Sequence, residues 1–134
     1  MAKSDNLLKL HSRIDHLKRV ENLISSLSSH YNVNKEAEER ISLAVLEAVK
    51  NAILHGNKLD YNKYVTIRFQ ISETSISFVI TDEGDGFDTL CVPNPTLPEN
   101  IEKIDGRGVF LMNYLADSVE YSADGRHVKM IFNI

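Results

Sequence analysis

Glu47-Ala48-Val49-Lys50-Asn51-Ala52-Ile53-Leu54-His55-Gly56-Asn57 closes a long helical pattern whose polar residues are not scattered. At about 100° per residue, Ile41, Val45, Ala48 and Ala52 share one core-facing stripe, and Leu46 and Ile53 extend apolar character round one side. Glu47, Asn51 and His55 step four residues at a time along the other edge of that core, where a polar stripe forms a pocket wall. Upstream, Asn34 is a natural N-cap, and Glu36, Glu38 and Glu39 put negative charge where the helix dipole favours it. Gly56 is a stop signal, so the spacing predicts a helix over about 35–55.

Towards the N-terminus, Leu7, Leu8 and Leu10 form a short edge strand before Ser12 or Asp15 caps a first helix, over about 14–29. Its apolar stripe is Leu17, Val20, Leu23, Ile24 and Leu27, a core-packing pattern. On the other side, Tyr64 to Ser72 and Ser75 to Thr81 are β-rich runs separated by Glu73-Thr74, the pattern of an antiparallel hairpin. From Asp82 to Asp105, acids, glycines and Pro93, Pro95 and Pro98 break the pattern into a long loop, and such loops are usually functional. Val109 to Ala116 reads as a short helix, and two final strands flank the turn Ala123-Asp124-Gly125-Arg126.

The chain has 134 residues, 43% hydrophobic and 25% charged, which suits one domain over 1–134 with one core. Fifteen basic against nineteen acidic side chains give a net charge of −4, unsuited to gripping a phosphate backbone, so no direct nucleic-acid partner is expected. Cys91 is the single cysteine, which excludes an intrachain disulfide and fits a reducing cytosol. No apolar run approaches the roughly 20 residues of a membrane span, so a cytoplasmic protein without a membrane partner is expected.

Three motifs carry chemistry. A carboxylate and a carboxamide one turn apart, Glu47 and Asn51, suit a hard cation with its waters: Asn51 as magnesium ligand, Glu47 as proton acceptor from a nucleophile. Read alone, Glu47 equally fits a surface pair with Lys50 or Arg40. Thr81-Asp82-Glu83-Gly84-Asp85-Gly86-Phe87-Asp88 lies at a strand end, where glycines permit close approach and Asp82 suits an exocyclic amine such as that of adenine. The alternative is an acidic turn or calcium loop, although the twelve-residue pattern and terminal glutamate of an EF-hand are missing. Gly106-Arg107-Gly108 opens a helix whose free N–H groups suit a phosphate, or is a hinge. His55, at a helix end, has a structural role as its simplest reading.

In this order the three motifs resemble the GHKL nucleotide-binding family, and within it the small anti-sigma-factor serine kinases. The likeness rests on Glu47 to Gly56 and on Gly106-Arg107-Gly108-Val109-Phe110-Leu111-Met112. The resemblance implies an α+β fold, a two-layer sandwich with helices on one face of a mixed, mostly antiparallel sheet. It implies ATP and Mg2+ as cofactors, with Asn51 on the metal, Glu47 as general base towards a serine hydroxyl, and Asp82, Gly84 and Gly86 at the adenine wall. Residues from about 89 to 105 become a lid, short and rich in proline. Gly106 and Gly108 meet phosphate through backbone N–H groups, and Arg107 neutralises its charge. The implied activity is phosphorylation of a small anti-anti-sigma (STAS-domain) protein together with sequestration of a sigma factor, by a homodimer. The rival reading is a nucleotide-binding regulatory module that captures a partner without phosphotransfer. A sensor histidine kinase is disfavoured, because the N-terminal region is too short for a dimerisation helix pair and a phosphoacceptor motif.

Overall fold

The computed structural model describes residues 6–84, 112, 114–122 and 125–134. In chain order the elements are β1 (Leu7–His11), a 3₁₀ turn (Ile14–His16), α1 (Leu17–His30), α2 (Lys35–Asn51), a π turn (Ala52–Gly56), β2 (Tyr64–Ile71), β3 (Ser75–Thr81), β4 (Ser118–Tyr121) and β5 (His127–Asn133). Of the expected short helix over 109–116, Met112, Tyr114 and Leu115 are described and are helical, with the Ala116 N–H donating to the Met112 carbonyl at 3.0 Å. The expected lid, 89–105, lies outside the described residues.

The strands form one sheet in the order β1-β2-β3-β5-β4. Every neighbouring pair is antiparallel, so the mixed character expected of the sheet is replaced, among the described residues, by a wholly antiparallel one. Period-2 alternation gives the sheet two different faces. Val65, Ile67, Ile76, Phe78, Ile80, Val128, Met130 and Phe132 are buried, whereas the intervening Arg68 and Lys129 are exposed. The buried set shares one core with Val20 and Ile24 of α1 and with Ile41, Ala44, Val45, Ala48 and Val49 of α2, which makes two layers. Each large side chain in that core contributes about 1.5–3 kcal/mol by leaving water.

Helix ends follow local chemistry at some points and tertiary demand at others. Asn34 caps α2 as its sequence position predicts, its side-chain oxygen accepting from the Ala37 N–H at 2.8 Å. α1 ends with Asn32 at φ 57, and the Val33 N–H reaches the Ser28 carbonyl at 2.9 Å, a Schellman closure that asparagine tolerates.

The start of α1 departs from expectation, because neither Ser12 nor Asp15 caps it. Ser12 is fully buried and its hydroxyl donates to the Lys63 carbonyl at 2.9 Å, while Asp15 pairs with Arg13 at 3.0 Å. With both candidate caps engaged elsewhere, the chain enters through a 3₁₀ turn. At the far end of the bundle, Arg40 of α2 pairs with Asp117 at 3.7 Å and donates to the Leu115 carbonyl, tying α2 to the approach to β4.

Candidate functional site

The polar stripe of α2 forms much as its spacing implies. Glu47 is largely buried, its side chain 18% exposed, and Asn51 is half-buried at the last residue of α2. Glu47 Oε1 lies 3.2 Å from Lys50 Nζ, so the surface partner open to it on sequence grounds is present; the other candidate, Arg40, is committed to Asp117. With Lys50 about half exposed, a pair three residues apart contributes no more than about 1 kcal/mol, which leaves the carboxylate able to exchange Lys50 for another partner.

After Asn51 the helix widens. The Asn57 N–H donates to the Ala52 carbonyl five residues back, at 2.8 Å, so the predicted α-helix to His55 ends at Asn51 and continues as a π turn. The wider turn takes His55 off a straight continuation of the Glu47–Asn51 line and leaves it exposed. It also delivers Gly56 to the end of β3.

That delivery joins the first two motifs. A β-carbon built at Gly56 would stand 2.5 Å from Asp82 Oδ2, and one built at Gly84 would overlap the Gly56 carbonyl oxygen. The backbones of the helix end and the strand end therefore meet at two glycines, with the Asp82 carboxylate beside them. Asp82 is half-buried, its N–H donates to the Arg126 carbonyl at 3.0 Å, and its Oδ1 accepts the Gly84 N–H at 2.8 Å. The carboxylate is thus fixed at the mouth of the β3 end by its own turn.

Asn57 is a residue of this region to which the sequence assigns no role. It is 1% exposed; its Oδ1 accepts the Glu83 N–H at 2.8 Å, and its Nδ2 donates to Ser12 Oγ at 2.8 Å and to the Tyr64 carbonyl at 3.0 Å. Glu83 in turn accepts the Tyr64 N–H at 2.8 Å. A polar residue just after a helix-stopping glycine ordinarily reads as surface, and only the fold places it inside.

Of the residues expected at the site, Glu47, Asn51, Asp82 and Gly84 are placed, and the Gly56 contact draws the helix and strand segments together. Gly86, Gly106, Arg107 and Gly108 lie outside the described residues. Among the described residues no group of three or more His, Cys, Asp or Glu is placed to hold a metal ion, and no helix is long and apolar enough to cross a membrane. The placed donor set fits a nucleotide with a hard cation: a carboxylate and a carboxamide oxygen one turn apart on a helix, a carboxylate acceptor at a strand end, and a close glycine contact that brings the two segments together.

Residues 10–132 match the family described as the histidine kinase-like ATPase domain. The chain is 33% identical over 104 residues to the serine-protein kinase RsbW of Bacillus subtilis, a match covering 72% of this chain and 64% of that protein's length. It is 36% identical over 94 residues to the anti-sigma F factor of Clostridium perfringens, covering 68% of this chain and 67% of the relative. It is 34% identical over 115 residues to the RsbW kinase of Staphylococcus aureus, covering 80% and 72%. Among solved structures, a mycobacterial sensor histidine kinase, MprB, superposes with a TM-score of 0.50 at 20% identity, over 72% of this chain and 71% of that one, a likeness of fold alone.

Proposed function

Because the chain belongs to the histidine kinase-like ATPase domain family, we propose that it binds ATP with magnesium and acts as an anti-sigma-factor serine kinase. The observation that carries this reading is the contact of Gly56 with Asp82 and Gly84, which assembles the helix motif and the strand-end motif into one wall. In this reading the substrate is a serine of a small anti-anti-sigma protein of the STAS type. The same chain sequesters a sigma factor, working as a homodimer in the cytoplasm.

The roles follow from the chemistry of each group. Asp82 accepts the exocyclic amine of adenine, and Gly84, by letting the Gly56 backbone pack against the strand end, shapes the wall on which that acceptor stands. Asn51 offers its carboxamide oxygen to the metal, which when bound offsets phosphate charge. Glu47, one turn earlier, gives up its Lys50 partner and takes the proton of the incoming serine hydroxyl as that oxygen bonds to the γ-phosphorus and ADP leaves. Gly86, Gly106 and Gly108 complete the nucleotide contacts in this proposal, with Arg107 on the phosphates and residues about 89–105 as lid.

Transfer of radiolabelled phosphate from ATP to the cognate anti-anti-sigma protein, with magnesium, tests the kinase. Label on the partner's serine is the expected result, and an unlabelled partner beside an ATP-binding chain would overturn it. The second reading, a nucleotide switch without transfer, draws on the Glu47–Lys50 pair, which occupies the proposed base. It predicts that Glu47→Ala leaves partner capture and its control intact while Asn51→Ala abolishes both.

A further inference from the structure

We propose that Asn57 is a positioning residue for the nucleotide site, acting through Glu83 on Asp82, and that Ser12 of the β1 exit sets its amide. The inference rests on the reading of Asp82 as the adenine acceptor.

The orientation of the Asn57 amide follows from its neighbours. The Glu83 N–H is an obligate donor and the Tyr64 carbonyl an obligate acceptor, so Oδ1 must face the first and Nδ2 the second. The remaining Nδ2 hydrogen goes to Ser12 Oγ, whose own proton is spent on the Lys63 carbonyl at 2.9 Å. Asn57 at 1% and Ser12 at 0% exposure are both buried, so the bond between them is shielded from water and the amide cannot turn to solvent.

The bond to the Glu83 N–H is the one that matters for the site. Asp82 and Gly84 flank Glu83, and both stand against Gly56, the residue preceding Asn57. The two-residue unit Gly56-Asn57 therefore holds the turn at two points: backbone contact at Gly56 and the hydrogen bond that Asn57 Oδ1 accepts from the Glu83 N–H. Directly afterwards Lys58 and Leu59 both take left-handed backbone conformations, φ 55 and 61, which non-glycine residues adopt rarely. The chain accepts those two angles where they leave the Asn57 amide among three partners from three different segments, at the β1 exit, the β2 start and the β3 end. A residue kept in the core merely for packing needs no such arrangement, because an apolar side chain of that size fills the same space without it.

The test uses Asn57→Asp and Asn57→Ala in the full chain. Aspartate keeps the size and the acceptor for Glu83, but sets a second oxygen against the Tyr64 carbonyl. With protein shown to be folded by far-UV circular dichroism, both variants are expected to raise the ATP Kd and KM about tenfold while kcat at saturating ATP stays within about twofold of wild type. A merely structural residue would lower the melting temperature and leave the KM of the folded fraction alone, and an unchanged ATP Kd in folded Asn57 variants overturns the proposal. If neither variant folds, Ser12→Ala decides: it frees one Nδ2 hydrogen, an about threefold rise in KM at constant kcat is expected, and wild-type KM overturns the proposal. Failure of wild-type chain to bind ATP would instead overturn the parent reading, which this comparison keeps separate.

Discussion

Gly84 packs so closely on the carbonyl of Gly56 that a β-carbon at Gly84 would overlap the carbonyl oxygen. The two residues lie 28 positions apart, at the ends of α2's π turn and of β3, and their contact converts two separate motifs into one surface.

The two glycines are predicted to fail differently. Alanine at Gly84 meets rigid backbone, so the strand end or the π turn must move, and Gly84→Ala is expected to destabilise the fold by about 1–3 kcal/mol in urea unfolding. Alanine at Gly56 meets the Asp82 carboxylate and not backbone, so Gly56→Ala is expected to cost less stability, at most the Asp82 Oδ1 bond to the Gly84 N–H, but to weaken ATP binding by moving that acceptor. Urea unfolding and calorimetric titration of ATP on both variants check the contrast, and equal losses of stability would contradict it.

On α2 the neighbours one turn apart separate binding from turnover. Glu47→Gln is expected to lower kcat by about 10²–10⁴ with little change in the ATP Kd, the range a general base supplies. Asn51→Ala is expected to raise the Kd for magnesium-ATP at least about tenfold. Steady-state kinetics with the phosphoacceptor protein, beside equilibrium binding, reads both; a Glu47→Gln variant of normal kcat would remove that residue from the chemistry.

The N-cap of α2 offers a purely energetic test. Asn34→Ala loses the bond to the Ala37 N–H and is expected to cost about 1 kcal/mol by urea denaturation, whereas Asn34→Asp keeps the acceptor and most of the stability. Equal losses in both variants would count against capping as the cause.

Burial pushes the Tyr121 hydroxyl up to about 12 from its ordinary value of 10.0. The folded chain therefore holds this proton in a range where the unfolded chain releases it. Its contribution is fully present below pH 10 and is lost as pH rises towards 12, with a slope of at most about 1.4 kcal/mol per pH unit. Unfolding free energies of wild type and Tyr121→Phe across that window check the sign: the variant is expected to have the shallower decline.

Several elements were legible because their signals are local. Asn34, Gly56 and the Glu73-Thr74 turn mark element ends by backbone preferences that act within a few residues, and the strands follow period-2 alternation. The cap of α1 was not legible, because Ser12 satisfies a distant carbonyl at Lys63 in place of the helix N-terminus. The π turn escaped a reading at constant pitch, since the added residue per turn answers to the docking of Gly56 on the β3 end. Glu47 kept two candidate partners until the fold committed Arg40 to Asp117 and left Lys50 beside Glu47.

Periodicity by itself determined the amphipathic α2, the motifs marked Glu47, Asn51, Asp82 and Gly84 as site candidates, and the α+β class came from the family resemblance that the motif order carries. Tertiary structure alone decided the strand order, the meeting of Gly56 with Gly84 and the burial of Asn57 among Ser12, Tyr64 and Glu83. The physical reason is range: propensity and capping are settled between near neighbours in the chain, whereas a hydrogen bond spanning 26 or 45 positions exists only after the core has brought its partners together.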